Sequence, residues 1–181
     1  MNKTDYDYLL SSVTSIPDFP KPGIIFRDIT SLIEDPRGLH IAVSSLADYY
    51  RDAGFTKIMA AEARGFVFGS AVAYELQAGL VLVRKPGKLP RDAYSVDYAL
   101  EYGTGTVQCH KDSIQAGDKI LIVDDLLATG GTALAMMKLA KLAGAAVTDA
   151  GFVISLPELQ GRERLEEQGI KTFSLIDFTG A

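Results

Sequence analysis

The sequence predicts an α/β domain: a mainly parallel sheet with helices on both faces. Three observations carry that expectation. Short segments such as Lys57-Ile-Met-Ala-Ala-Glu62, Leu80-Val-Leu-Val83 and Lys119-Ile-Leu-Ile-Val123 are apolar almost throughout, as strands buried on both faces must be. They alternate with stretches whose apolar residues recur at helical spacing, the pattern of strand-helix-strand units. Informative turns follow Glu62, Arg84 and Val123, at the carboxyl ends of strands, where ligands collect in such folds.

The elements follow in order. Residues 4–13 form a short amphipathic helix, and Ile16-Pro-Asp-Phe-Pro-Lys-Pro-Gly23 is a proline-rich turn. Leu39, Val43, Leu46 and Tyr50 place one apolar stripe on a helix near 36–53. A strand at 57–62, a helix at 66–77 and a strand at 80–83 come next. Lys85-Pro-Gly-Lys-Leu-Pro-Arg-Asp92 is a basic loop. Tyr94, Val96, Tyr98, Leu100 and Tyr102 then alternate with Ser95, Asp97, Ala99 and Glu101, the period of a half-exposed strand. Gly103-Thr-Gly105 can turn it into a second strand at 106–110, making a basic hairpin suited to be a lid. From 118 onward the order is strand, turn, helix (132–143), strand (147–156), helix (158–168) and strand (171–177). No repeat, low-complexity tract or linker divides the chain, so one domain spanning 1–181 is expected.

Composition narrows the function classes. At 181 residues the chain can bury an ordinary core, and 48% apolar with 23% charged residues describes a folded globular protein. Eighteen basic against 23 acidic residues leave a net charge of −5, which disfavours general nucleic-acid binding without forbidding small anionic ligands. Cys109 is the single cysteine, so neither an internal disulfide nor a zinc set is expected. The polar start lacks a secretory apolar segment and no run approaches a membrane span of about 20 residues. The expectation is a cytoplasmic protein with no nucleic-acid or membrane partner. His40, His110 and Cys109 carry no chemical signal and are read as structural.

Val123-Asp-Asp-Leu-Leu-Ala-Thr-Gly-Gly-Thr132 is the most informative stretch. Two carboxylates at a strand end can hold sugar hydroxyls or a hydrated Mg²⁺, and a turn opening a helix presents free N–H groups to a phosphate. Together they fit a phosphorylated sugar. Thr129 or Thr132 could also cap the helix, which is compatible with that role. A Walker B strand would need a partner G-x-x-x-x-G-K-[ST], which the sequence lacks. A receiver-type domain beginning at Ile120 would need more strands than the remaining chain supplies. Glu62-Ala-Arg-Gly65 is a second strand-to-helix turn, although an isolated Arg64 would be an ordinary surface charge. Arg84, Lys85, Lys88 and Arg91 form the densest basic cluster, on composition alone either a solvated loop or an anion grip. Glu101 lies on the polar face of the alternating strand and by itself would be an exposed glutamate.

Taken together, these segments resemble the type I phosphoribosyltransferases, in the form carried by members that use adenine. The likeness includes Phe19-Pro-Lys-Pro-Gly-Ile-Ile-Phe-Arg-Asp28, Glu62-Ala-Arg-Gly-Phe-Val-Phe-Gly69, Arg84-Lys-Pro-Gly-Lys-Leu-Pro90, Leu100-Glu-Tyr-Gly103 and the 123–132 stretch, in order along nearly the whole chain. The resemblance implies a purine-salvage glycosyltransferase that uses Mg²⁺ to move phosphoribose from phosphoribosyl diphosphate to adenine, giving AMP and pyrophosphate. It implies that Ala128, Thr129, Gly130, Gly131 and Thr132 bind the 5′-phosphate. Asp124 and Asp125 would hold the ribose hydroxyls, directly or through water on a Mg²⁺ ion whose other ligands come mainly from substrate and solvent. Ala63, Arg64 and the cluster of Arg84, Lys85, Lys88 and Arg91, Arg84 and Lys88 foremost, would bind pyrophosphate, with a cis peptide between Glu62 and Ala63. Many family members carry serine at the position of Ala63, so no hydroxyl role is carried over there.

The same resemblance implies an N-terminal hood of about 1–34 and a lid of about 85–105. In the hood, Ile25, Phe26 and Arg27 would form the adenine pocket, with backbone groups at 25 and 27 reading the Watson–Crick edge and Leu156 as an apolar wall. Glu101 would lie over the base near N7 as general acid/base or as an orienting group, and Tyr102 would help close the lid. A homodimer is implied as well. The competing readings are transfer to hypoxanthine, guanine or xanthine, and a non-catalytic sensor of phosphoribosyl diphosphate that binds nucleic acid.

Overall fold

A computed structural model describes residues 1–99 and 104–180. Helix α1 (Lys3–Ser12) starts at Asn2, whose side chain accepts the Asp5 N–H, satisfying one of the donors a helix start leaves open. Strands β1 (Thr14–Pro17) and β2 (Ile25–Asp28) pair antiparallel as a separate hairpin, and the short α2 (Thr30–Glu34) follows. Helix α3 (Pro36–Tyr50) has Pro36 at its first turn and Asp35 as cap, accepting from Arg37 and Gly38 N–H. Its buried Ala42, Leu46 and Tyr50 are the predicted stripe.

Then come β3 (Lys57–Ala61), α4 (Gly65–Glu75) and β4 (Gly79–Val83). Strands β5 (Ala93–Ala99) and β6 (Thr104–His110) form the second hairpin. The rest is β7 (Lys119–Leu127), α5 (Gly131–Leu142), β8 (Ala146–Ser155), α6 (Gly161–Glu166) and β9 (Lys171–Asp177).

The central sheet is parallel throughout, in the order β4-β3-β7-β8-β9. Strand β7 shows why it is buried on both faces. Leu121 and Val123 join one core cluster with Leu46, Phe68 and Val72, while Ile120 and Ile122 join the other with Met136 and Leu139. Two apolar layers of helix side chains therefore need apolar residues at successive strand positions. The sheet grows outward in opposite directions from the β3/β7 pair, which makes the crevice beyond their carboxyl ends the topological switch point.

Element boundaries agree with the sequence pattern to within a few residues, with two differences. The expected proline-rich turn at 16–23 overlaps the end of β1, which pairs back with β2; the prolines hide the period-two signal. The helix expected at 158–168 is a 3₁₀ turn, Pro157–Leu159, and a separate α6, because Gln160 takes a left-handed φ of 56°. Beside the central sheet, the described strands β5 and β6 rest on the core: Tyr94, Val96 and Tyr98 pack on the second cluster, and Arg84 and Gln108 exchange backbone hydrogen bonds of 2.8 and 2.7 Å. Leu100, Glu101 and Tyr102 lie outside the described residues. Among the described residues no helix is long and apolar enough to cross a membrane.

Candidate active site

The switch point gathers two strand-to-helix turns. After β3, the Glu62–Ala63 peptide is cis without a proline, as the resemblance implied, and Gly65 then opens α4. A Cβ on Gly65 would run into Asp124 Oδ1, so any larger residue there must displace the Asp124 carboxylate or open the turn. After β7, the chain makes the Ala128–Thr132 turn into α5.

That second turn is organised by two glycines. Gly130 is the N-cap of α5 with φ of 78°, a left-handed conformation that suits glycine. No side chain caps the helix. This corrects the expectation that Thr129 or Thr132 could do so: the left-handed step at Gly130 takes the cap position. The first-turn N–H groups are thus left for an outside acceptor. Gly161, at the start of α6, supports the loop from below, since a Cβ there would collide with Ala128 O and lie 3.0 Å from Gly130 N. Arg164 Nη1 donates to Thr129 O at 3.3 Å. A cavity of about 90 Å³ sits over this loop.

A larger cleft of about 470 Å³ adjoins it. Ala63, Arg64, Lys85 and Asp125 line the cleft, and Asp124, Leu126 and Thr132 line both cavities. Asp124 therefore stands where the cavity over Ala128–Thr132 meets the cleft at Ala63–Arg64, with Asp125 beside it in the cleft. A concavity of about 750 Å³ between α1 and α3 is larger, but it offers neither a carboxylate pair nor an open helix N-terminus of this kind.

Electrostatics within the cleft are uneven. Burial, and then the adjacent Asp125 charge, push the Asp124 carboxyl well above the usual carboxylate range, only partly opposed by Arg64. Asp125 Oδ2 lies 2.7 Å from Arg64 Nε, yet receives no aligned hydrogen bond among the described residues. Glu62, which the sequence reading left without a role, accepts the Lys85 N–H at 2.6 Å and Arg84 Nη2 and Nε at 3.0 and 3.2 Å. Those bonds, the Lys85 N–H foremost, hold its carboxyl below the usual range. Arg84 is thus turned toward Glu62, while Lys88 is exposed and its carbonyl accepts from Arg84 Nη1 at 3.4 Å. Arg91 pairs with Asp112 away from the cleft. Burial pushes the Cys109 thiol up to about 11, in keeping with a structural residue.

Ile25, Phe26 and Arg27 occupy β2 and are half-buried. The Phe26 ring centroid lies 5.8 Å from the Arg64 guanidinium carbon and packs edge-on with Phe19, which brings the hood to the turn after β3. Leu156 is buried next to the end of β8, with its N–H bonded to Leu127 O. Neither cavity is lined by Ile25, Arg27 or Leu156. Gly161 joins the site although sequence reasoning gave it no role. Gly65 and Gly161 matter through close approach of distant segments, which leaves no local signal.

No group of three or more His, Cys, Asp or Glu among the described residues is placed to hold a metal. Two adjacent carboxylates in an open cleft suit an ion that keeps several waters and takes other ligands from a phosphorylated substrate.

The family described as phosphoribosyl transferase domain matches residues 30–180. An adenine phosphoribosyltransferase of Aeromonas salmonicida is 54% identical over 180 residues, covering 99% of each chain. Among solved structures, the Rhodothermus marinus enzyme of that name superposes with a TM-score of 0.91 at 41% identity, over 98% of this chain and 100% of its own. The Giardia lamblia enzyme complexed with 9-deazaadenine gives 0.90 at 33% identity, over 96% and 97%. At that identity and coverage, the chain belongs to the adenine phosphoribosyltransferase family.

Proposed function

We propose that this chain transfers the 5-phosphoribosyl group from phosphoribosyl diphosphate to adenine, forming AMP and pyrophosphate. The single observation that carries the reading is the shared wall of Asp124, Leu126 and Thr132 between the cavity over Ala128–Thr132 and the cleft at Ala63–Arg64. A sugar bearing phosphate at one end and diphosphate at the other matches that spacing of groups. The relative from Giardia lamblia, solved with 9-deazaadenine, supports adenine as the base.

In this reading the N–H groups of Ala128–Thr132 hold the 5′-phosphate, with the hydroxyls of Thr129 and Thr132 as further donors. Asp124 and Asp125 accept from the ribose hydroxyls. The C1′–O bond to pyrophosphate breaks as the bond from adenine N9 to C1′ forms, and the base gives up one proton. Negative charge gathers on the departing pyrophosphate, where Arg64, Arg84 and Lys88 stabilise it, a role like that of oxyanion donors. Mg²⁺ held near Asp124 and Asp125, mainly by substrate and water, would supply further neutralisation there. Backbone groups at 25 and 27, with Phe26 and Leu156, take the base; Glu101 orients it or moves its proton, and Tyr102 helps the hairpin tip shut out water.

A homodimer is part of the proposal. Strand β4 is a sheet edge, and Leu82 on it and Tyr74 at the end of α4 are 41% and 84% exposed, a surface that a second copy would cover; light scattering reports the mass. A reducing cytoplasm suits the buried free thiol of Cys109.

The test is AMP formation from labelled adenine, phosphoribosyl diphosphate and Mg²⁺, with hypoxanthine and guanine in parallel. Adenine-selective, Mg²⁺-dependent turnover is expected. Saturable binding of phosphoribosyl diphosphate without turnover on any base would move the chain to the sensor class.

A further inference from the structure

Strands β1 and β2 form a sheet of their own, hydrogen-bonded to no strand of the central sheet. A two-stranded hairpin is marginal alone, so its place over the switch point has to be set by side chains. Arg27 makes several such ties. Its Nη1 donates to Ser15 Oγ at 2.6 Å, across the hairpin. Its Nη2 donates to the carbonyl oxygens of Thr179 at 2.8 Å and Gly180 at 3.3 Å. The guanidinium carbon lies 4.6 Å from the centroid of the Phe178 ring.

The segment it grips is itself fastened beside Leu156. Phe178 N–H donates to Ser155 O at 3.0 Å, and Gly180 N–H donates to Glu158 Oε1 at 2.9 Å. Ser155 and Glu158 flank Leu156 in sequence. A continuous set of contacts therefore runs from β2, through Phe178–Gly180, to the turn that carries Leu156.

We propose that the Arg27 side chain is a positioning residue for the base, setting the separation between the hood backbone at 25–27 and Leu156 by clamping Phe178–Gly180. This rests on the adenine site described under the proposed function. A planar guanidinium fits the task because one donor crosses the hairpin, another meets two carbonyls and the face lies on a ring. An ammonium supplies the charge but not that planar combination. The turns after β3 and β7, which take the phosphoribosyl end, are held by other contacts, so the effect of losing Arg27 falls on the base.

The experiment compares Arg27→Ala, Arg27→Lys and a chain shortened after Phe178, measuring kcat, the two KM values and adenine binding by calorimetry. Misplacing a binding group by about 1 Å can cost on the order of 10²-fold. On that scale, Arg27→Ala is expected to raise the adenine KM about tenfold or more, with phosphoribosyl diphosphate KM within about twofold. Arg27→Lys recovers part of the loss. Shortening the chain reproduces the Arg27→Ala shift, and combining the two adds little, because both remove the same clamp.

A parallel rise in both KM values, full additivity, or a lowered melting temperature with both KM values unchanged would overturn the role. If Arg27→Ala does not fold, Arg27→Lys and the shortened chain decide by the same criteria. Adenine binding separates this inference from the reaction itself: an unaltered chain that binds adenine without turnover sinks the reaction, while the shift in binding on losing Arg27 still tests the clamp.

Discussion

Arg64, from the turn after β3, and Asp125, near the carboxyl end of the neighbouring β7, meet at 2.7 Å, Nε to Oδ2, with the carboxylate buried and the guanidinium partly exposed. The cation proposed for pyrophosphate and the anion proposed for ribose thus neutralise each other when no substrate separates them. In the proposed reaction, arrival of pyrophosphate would give Arg64 a stronger acceptor and free Asp125 for a sugar hydroxyl. Arg64→Ala is expected to lower kcat/KM by about 10²–10³, the usual loss for one preorganised donor. Arg64→Ala and Asp125→Asn combined should lose less than the product of the separate losses, because the two residues act on each other. Steady-state kinetics of the full cycle measure this; independent, multiplying losses would refute the coupling.

Asp124 gives a prediction in which stability and activity part. Its carboxyl binds a proton more tightly in the folded chain than in the unfolded one, chiefly because it is buried. Between the ordinary carboxylate value and the raised one, folding therefore loses stability as pH rises. Asp124→Asn removes that loss, so its melting temperature at pH 7 should exceed the parent's. The gap should close below about pH 4, where both chains are neutral at this position. Turnover should nevertheless fall. Melting curves across pH, read beside activity, check both halves.

Gly161 lies under the phosphate loop, with no space for a methyl group against Ala128 O. Gly161→Ala must push that loop away, an overpacking that costs about 1–3 kcal/mol. The KM for phosphoribosyl diphosphate should rise about tenfold or more, with the adenine KM far less affected. Equal movement of both values would mean that the loop holds no phosphate.

Helix α4 approaches β3 at Gly69, where an added Cβ would come 2.5 Å from Ala60 Cβ. Gly69→Ala should lower stability by about 1–3 kcal/mol, seen as a lower denaturant midpoint with unchanged slope. An unchanged midpoint would mean that the helix can shift without cost.

Glu101→Ala is expected to lower kcat and alter its pH profile, since a group that moves or orients a proton leaves its signature there. A profile identical to the parent's would remove Glu101 from the chemistry and leave the base to the hood alone.

The fold class was legible in the sequence because its determinants are local and periodic. Strands buried on both faces show as unbroken apolar runs, and the stripe at Leu39, Val43, Leu46 and Tyr50 reports a helix covering one of them. The strand-end carboxylates and glycine-bearing turns were legible for a similar reason: their chemistry is carried by neighbours in sequence.

Tertiary structure alone decided how those pieces meet. It placed Gly65 against Asp124 and Gly161 beneath Ala128. It turned Arg84 toward Glu62 and brought Arg64 to Asp125. It also brought Thr179 and Gly180 to Arg27. These are contacts between segments far apart along the chain, set by the order and twist of the sheet, and no periodicity within either segment encodes its distant neighbour.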